Sequence, residues 1–406
     1  MEHNRQNRPE LLAPVGDMER LVSALDYGAD AVYLAGKSFG MRSAPSNFSN
    51  DELRQAVERS HARGVKVYVT CNVLPHNHEL AALPDFLTFC EEIGVDAFIM
   101  TDLGVMAMAK RYAPKVAVHI STQAGVVNYE TANAFYNMGA ERVVLARELS
   151  FAEIAEIRAK TPKALEIEAF VHGAMCVSFS GRCLLSNYLT GRDANHGDCA
   201  QPCRWDYYLV ERTRPDQVFT IQQDQKSTFV FNSKDMCMIE HIPEILNCGV
   251  SSLKIEGRAK SAYYVACVTN AYRHAVDAAL AGEPLPQWVV DETDKISHRA
   301  YSTGFYSGQE PGQTPEMGGY IRHWDIGAIC VGEENGYVRL TQRNRFFRGE
   351  MVSVLEPGTE PYDLELSEIF DETMTPIESA PHATMTVYLK TDRKIKPGAF
   401  LRVRRS

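Results

Sequence analysis

At 406 residues the chain has room for two or three domains. Its 45% apolar, 9% aromatic and 23% charged residues exclude a disordered or fibrous polymer, and a net charge of −10 excludes nucleic-acid binding through bulk charge alone. The polar first ten residues lack the apolar core of a secretory signal, and no apolar run reaches the roughly 18 residues of a membrane helix, so a soluble cytoplasmic protein is expected.

In chain order, short β-branched runs alternate with helix-period segments. The predicted strands are Leu11–Pro14, Ala31–Ala35, Lys66–Thr70, Ala97–Thr101, Ala117–Thr122, Arg142–Ala146, Glu166–Val171 and Ser252–Glu256. Amphipathic stretches such as Met18–Tyr27, Asp51–Arg63 and Phe151–Lys160 lie between them. This alternation implies right-handed βαβ units on a parallel sheet. Eight strands match a closed TIM-like (β/α)8 barrel; the alternative is an open doubly wound sheet, weakened by the lack of a G-x-G-x-x-G after the first strand. The seventh and eighth strands are separated by about 80 residues, where a βα unit needs roughly 30, so an insertion follows strand seven. Beyond residue 282, prolines and glycines mark a connecting stretch. From Tyr320 short alternating strands with turns such as Glu334-Asn-Gly336 predict a small antiparallel β-barrel. The expected organisation is α/β: a barrel over 1–282 with its insertion at 173–235, a connector over 283–318, and a β-barrel domain over 319–406.

Ten cysteines in an intracellular chain argue against disulfides. Cys71, Cys90, Cys237, Cys248, Cys267 and Cys330 are scattered, as buried small hydrophobes are. Cys176, Cys183, Cys199 and Cys203 fall within 28 residues directly after strand seven. On a barrel that is the C-terminal, catalytic face. Four thiolates can hold zinc or an iron–sulfur cluster; the uneven spacing favours the cluster, and Cys237 is an alternative fourth ligand.

Strand alternation turns Glu166, Glu168, Phe170 and His172 inward from strand seven, and Lys254 and Glu256 inward from strand eight. It also places Asn72, Asp102, Ser121, Gln123 and Arg147 at or just past strand ends. Each taken singly is as readily a loop cap or one half of an internal ion pair, Lys254 with Glu168 or Glu256 among them. Together, so many polar groups converging on one face form a pocket. His172 is the natural acid/base near neutral pH, and Glu168, Lys254 and Glu256 are further catalytic candidates. Arg42, Arg147, Lys254 and Arg258 suit a dicarboxylate or phosphate ligand. A protease is poorly supported, since Gly-x-Ser-x-Gly and His-Glu-x-x-His are both absent. Residues 320–406 hold 12 basic against 13 acidic residues, but Arg343, Arg345 and Arg348, and the seven cations from Lys390 onward, form local clusters that could meet nucleic acid or simply be solvated.

Glu168-Ala-Phe-Val-His-Gly-Ala-Met-Cys176 and Ser180-Gly-Arg-Cys183-Leu-Leu-Ser186 resemble the collagenase-like peptidase family U32. So do Cys199-Ala-Gln-Pro-Cys-Arg-Trp205, Asn232-Ser-Lys-Asp235 and Ser252-Leu-Lys-Ile-Glu-Gly-Arg258, and Leu11-Leu-Ala-Pro-Val-Gly16 and Tyr27-Gly-Ala-Asp-Ala-Val-Tyr33 resemble its opening. The resemblance spans almost the whole chain. It implies an oxygen-independent hydroxylase with a 4Fe–4S cluster that takes its oxygen atom from prephenate. The clustered Cys199 and Cys203, with the appended β-domain, resemble the branch that makes 5-hydroxyuridine at the tRNA wobble position. A 23S rRNA cytidine hydroxylase of the same family, or a peptidase as the family name records, are the alternatives. The partners so implied are tRNA, prephenate and an unidentified electron donor, with no membrane.

Overall fold

The computed structural model describes residues 8–37, 47–176, 178–179, 183–192, 194, 198–205, 209–211, 214–219, 233–309 and 320–405. Arg42 lies outside these residues.

The first element is strand β1 (Glu10–Pro14), then helix α1 (Met18–Asp26), β2 (Ala31–Leu34), α2 (Asn50–His61), β3 (Lys66–Cys71), α3 (Leu83–Glu92), β4 (Ala97–Met100) and α4 (Leu103–Tyr112). The alternation continues through β5 (Ala117–Ile120), α5 (Tyr129–Asn137), β6 (Arg142–Val144), α6 (Phe151–Ala159) and β7 (Glu166–Ala174). The insertion carries a short helix α7 (Leu185–Thr190), a hairpin of β8 (Leu209–Glu211) and β9 (Arg214–Phe219), and β10 (Asp235–Cys237). Helix α8 (Ile242–Asn247), β11 (Ser252–Ile255) and α9 (Ala262–Ala281) complete the barrel. Strands β1 to β7 pair in sequence order, and β11 pairs with both β1 and β7, so eight parallel strands close on themselves. The predicted strands agree with the observed ones to within a residue or two at most ends.

The helices start where short polar side chains can take up the free N–H groups of the first turn. Ser49 with Glu52, and Ser150 with Glu153, form reciprocal capping boxes; Asp17, Asp102, Asn128 and Ser261 cap singly. Apolar side chains on the outer faces of the strands and inner faces of the helices form one continuous core. No helix among the described residues is long and apolar enough to cross a membrane.

After α10 (Gln287–Thr293) and β12 (Tyr301–Ser302), seven strands form a second sheet. They are β13 (Trp324–Glu334), β14 (Tyr337–Gln342), β15 (Met351–Leu355), β16 (Tyr362–Glu365), β17 (Glu368–Phe370), β18 (Thr386–Lys390) and β19 (Phe400–Arg404), all paired antiparallel in the order β16-β15-β19-β13-β14-β18-β17. The sheet curls over its own apolar core as a half-barrel. It packs along α1, α9 and α10. The Tyr27 hydroxyl donates to the carbonyls of Leu355 (2.9 Å) and Gly398 (3.1 Å), and Leu355 and Phe400 join the barrel's core. Arg402, counted from the sequence among the tail cations, is fully buried in this seam, 2.7 Å from Glu292 and 2.8 Å from Ser353 Oγ. It is therefore an internal charge and not part of a basic surface. Glu292 also pairs with Lys295 at 2.8 Å.

Candidate active site

A cavity of about 800 Å³ opens at the C-terminal ends of the barrel strands. Its floor is built by side chains that alternation turns inward. Lys254, on β11, lies 4.4 Å from the Tyr33 ring centroid and 5.5 Å from that of Phe170. Arg147, just past β6, covers the other part of Phe170 at 3.8 Å. Its guanidinium donates to the Ala174 carbonyl at 2.7 Å and lies 3.8 Å from Glu256. Arg258 is buried and donates to Thr70 Oγ1 at 2.8 Å. Asn72, Ser121, Gln123 and Glu256 line the same cavity. Ser121 also caps the turn Thr122–Ala124.

Three sequence expectations need correction. Asp102 does not reach the cavity lining; its carboxylate caps α4, accepting from the Val105 N–H at 3.0 Å. Glu168 points inward as expected but lies beneath the cavity, wholly buried. It accepts from Lys254 at 2.7 Å and from Arg142 at 3.0 Å, and Arg142 reaches on to Glu10 at 2.6 Å. The internal-ion-pair alternative thus describes Glu168 and Lys254. His172 is turned away altogether. Lys254 pairs with Phe170 but Ile255 pairs with His172, so β7 carries one extra residue, a bulge that reverses its side alternation. The ring leaves the barrel interior for the outer layer. There it contacts Tyr272 OH at 3.3 Å on α9 and packs beside Tyr264 and Tyr301. Burial pushes its pKa down to about 3. Gly173 makes this path possible. It has φ +113, and a Cβ there would meet the Glu256 carbonyl oxygen at 2.5 Å.

Cys176, Cys183, Cys199 and Cys203 all line the same cavity. Three of them share a local geometry: the sulfur accepts the N–H two residues on, from Ser178 (3.4 Å), Leu185 (3.4 Å) and Gln201 (3.3 Å). Among the described residues no three ligating groups converge as a single metal ion requires. Four cysteine sulfurs lining one cavity are a donor set that an iron–sulfur cluster or zinc can take. Cys237 does not line the cavity. It lies on β10 near Tyr272 OH, where burial pushes its thiol up to about 11.

The sequence reading missed Lys260, Arg299 and Tyr320, which line the cavity too. Lys260 follows β11 closely and was legible as one more cation in that run. Arg299 arrives from the connector. It is buried against Asp235 (2.7 Å) and donates to the Met175 carbonyl at 3.3 Å. Burial would raise the Asp235 carboxyl, but Arg299 holds it below the usual range. Two guanidiniums, Arg147 and Arg299, therefore hold the successive carbonyls of Ala174 and Met175, fixing the backbone that presents Cys176.

The model of peptidase family U32 matches residues 16–315, and that of the family's C-terminal domain matches residues 322–402. The tRNA hydroxylation protein P1 of Bacillus subtilis is 38% identical over 97% of this chain and 94% of its own. The tRNA hydroxylation protein P of Escherichia coli is 34% identical over 96% and 95%. The 23S rRNA 5-hydroxycytidine C2501 synthase of Escherichia coli is 34% identical over 80% of this chain and 49% of its own.

Proposed function

The chain belongs to peptidase family U32, and from that premise we propose that it is an RNA hydroxylase, specifically a prephenate-dependent, iron–sulfur enzyme forming 5-hydroxyuridine at the tRNA wobble position. The observation that carries the reading is the meeting of four cysteines with Arg147, Lys254, Arg258 and Lys260 in one cavity. The named relatives that match nearly end to end act on tRNA.

Cys176, Cys183, Cys199 and Cys203 would hold the cluster. It would supply electron transfer at the cavity wall, chemistry that peptide hydrolysis does not need. Arg147, Lys254 and Arg258 bind the two carboxylates of prephenate. Lys254 is held ready by Glu168, and Arg147 by the Ala174 carbonyl, so neither pays much ordering entropy on binding. The cavity is large enough for a small dicarboxylate and one base side by side. Glu256, which lines the cavity with Glu148 and Asp198, is a carboxylate that can move a proton, 3.3 Å from the Tyr33 hydroxyl. An unpaired anticodon base reaches such a pocket without duplex opening.

The test is nucleoside mass spectrometry on strains lacking this gene, or blocked in prephenate synthesis, grown without oxygen. Either defect should remove 5-hydroxyuridine and its derivatives from tRNA. Normal levels in both would overturn the reading, and loss of 5-hydroxycytidine from 23S rRNA instead would select the rRNA activity of the third relative.

A further inference from the structure

The basic residues of the C-terminal sheet look like one population in the sequence, but the fold sorts them to opposite ends of the barrel, with α1 as the gauge between them. One set stands at the cavity end. Tyr320 and Lys260 both line the cavity, with the Lys260 ammonium 4.5 Å from the Tyr320 ring centroid. Two residues on, Arg322 shares Asp325 with Arg405, and Arg404 pairs across the sheet with Trp324. The loop after β14 bonds to the Gly327 carbonyl through the N–H groups of Arg343 and Asn344. Arg343 reaches Glu19 in the first turn of α1 at 2.8 Å, and its neighbour Arg20 donates to the Lys260 carbonyl. Two separate routes thus tie this end to the cavity mouth.

The other set stands at the far end. Lys396 donates to the Pro357 carbonyl, Arg393 stacks on Tyr362 at 3.4 Å, and Gly398 meets Tyr27, the residue that ends α1. The nine residues of α1 separate the two ends by about 13 Å along its axis.

The two ends also differ in what their charges are doing. At the cavity end stand Arg322, Arg343, Arg345, Arg404 and Arg405; Arg322 and Arg405 share Asp325, and Arg343 pairs with Glu19. Arg348 is taken up by Glu378, and Glu350 accepts the Phe347 N–H. Among the described residues neither Arg345 nor Arg404 has an ion-pair partner. Arg345 lies 4.9 Å from the centroid of Phe347, an exposed ring, so a cation and a stacking face are offered together.

We infer that the RNA whose base enters the cavity lays its backbone across this cavity-side end, over Arg322, Arg343, Arg345, Arg404 and Arg405, and that the basic 390–396 loop takes no part. The inference rests on the reading of an RNA substrate and adds where the rest of that RNA lies. Phosphates are the chemistry recognised; the sequence is read elsewhere, at the base in the cavity.

Two variants of equal charge change separate the ends. One is Arg345→Gln with Arg404→Gln and Arg405→Gln; the other is Arg393→Gln with Lys394→Gln and Lys396→Gln. Binding of unmodified tRNA is measured on the full chain between 50 and 200 mM salt. The cavity-side variant should weaken binding about tenfold or more at 150 mM and flatten the slope of log K against log salt by about 2, whereas the far-end variant should shift affinity less than twofold. At saturating RNA the cavity-side variant should keep its kcat and show a raised KM. Arg345→Glu alone, which breaks no described ion pair, should weaken binding in the same direction and guards against a folding defect in the triple variant. Equal losses at the two ends, or a larger loss at the far end, would overturn the inference while leaving the hydroxylase reading intact. A wild-type chain that neither hydroxylates nor selectively binds RNA would remove both.

Discussion

Removing one charge from the barrel interior tests how the cavity floor is held. Glu168 is fully buried and is shared by Lys254 at 2.7 Å and Arg142 at 3.0 Å. Glu168→Gln keeps the shape but leaves Lys254, itself buried, without its carboxylate partner. Breaking a buried pair from one side costs about 3–5 kcal/mol, because the surviving charge stays out of water. Arg142 retains Glu10 and Glu166, so most of the loss belongs to Lys254. Adding Lys254→Met removes the stranded charge and replaces it with a flexible apolar chain between the Tyr33 and Phe170 rings. The double variant should recover most of the deficit, with a coupling energy of about 2 kcal/mol or more. The assay is urea unfolding at pH 7 of wild type, both single variants and the double variant. A Glu168→Gln chain within about 1 kcal/mol of wild type, or purely additive losses, would refute the claim that this carboxylate exists to hold Lys254 in place.

Other outcomes follow from the same geometry. His172 is neutral in the fold and becomes charged in the unfolded chain below about pH 6.5, so its contribution is intact above that pH and is lost as pH falls toward 3. His172→Gln should therefore show a smaller drop in stability between pH 7 and 5 than wild type, with turnover at pH 7.5 within several-fold. A hundredfold loss of turnover with stability unchanged would instead restore a proton-transfer role. For the cysteines, Cys203→Ser should lose iron on anaerobic reconstitution, measured by iron and sulfide content, whereas Cys237→Ser should keep it. The reverse pattern would make Cys237 the fourth ligand.

Most of the barrel was legible because its signals are local. The run Ala31-Val-Tyr-Leu34 and its counterparts are β-branched or aromatic, bounded by turn residues, and paired with helices that carry their own caps. The cysteine group was legible because its members are neighbours in sequence. What escaped is non-local. The bulge that expels His172 depends on Gly173 passing close to the Glu256 backbone, a contact between two strands 80 residues apart in the chain. Asp102 sits at a strand end where a cap and a ligand-binding residue look alike. Arg299 joins the cavity from beyond the barrel, and Arg402 is buried by Glu292 from a helix 110 residues earlier. No spacing rule reports such meetings.

The seam through Arg402 and Glu292 has a consequence for selectivity. A half-barrel joined to its neighbour by a buried guanidinium–carboxylate pair, with Leu355 and Phe400 sunk into the same core, cannot swing as a loosely tethered module does. The distance from its cavity-side arginines to the pocket is therefore a constant of the molecule. A polyanion gripped there, as inferred above, would have to offer its reactive group at one set reach, and one whose geometry is too short or too long would be rejected before any atom of the base is inspected.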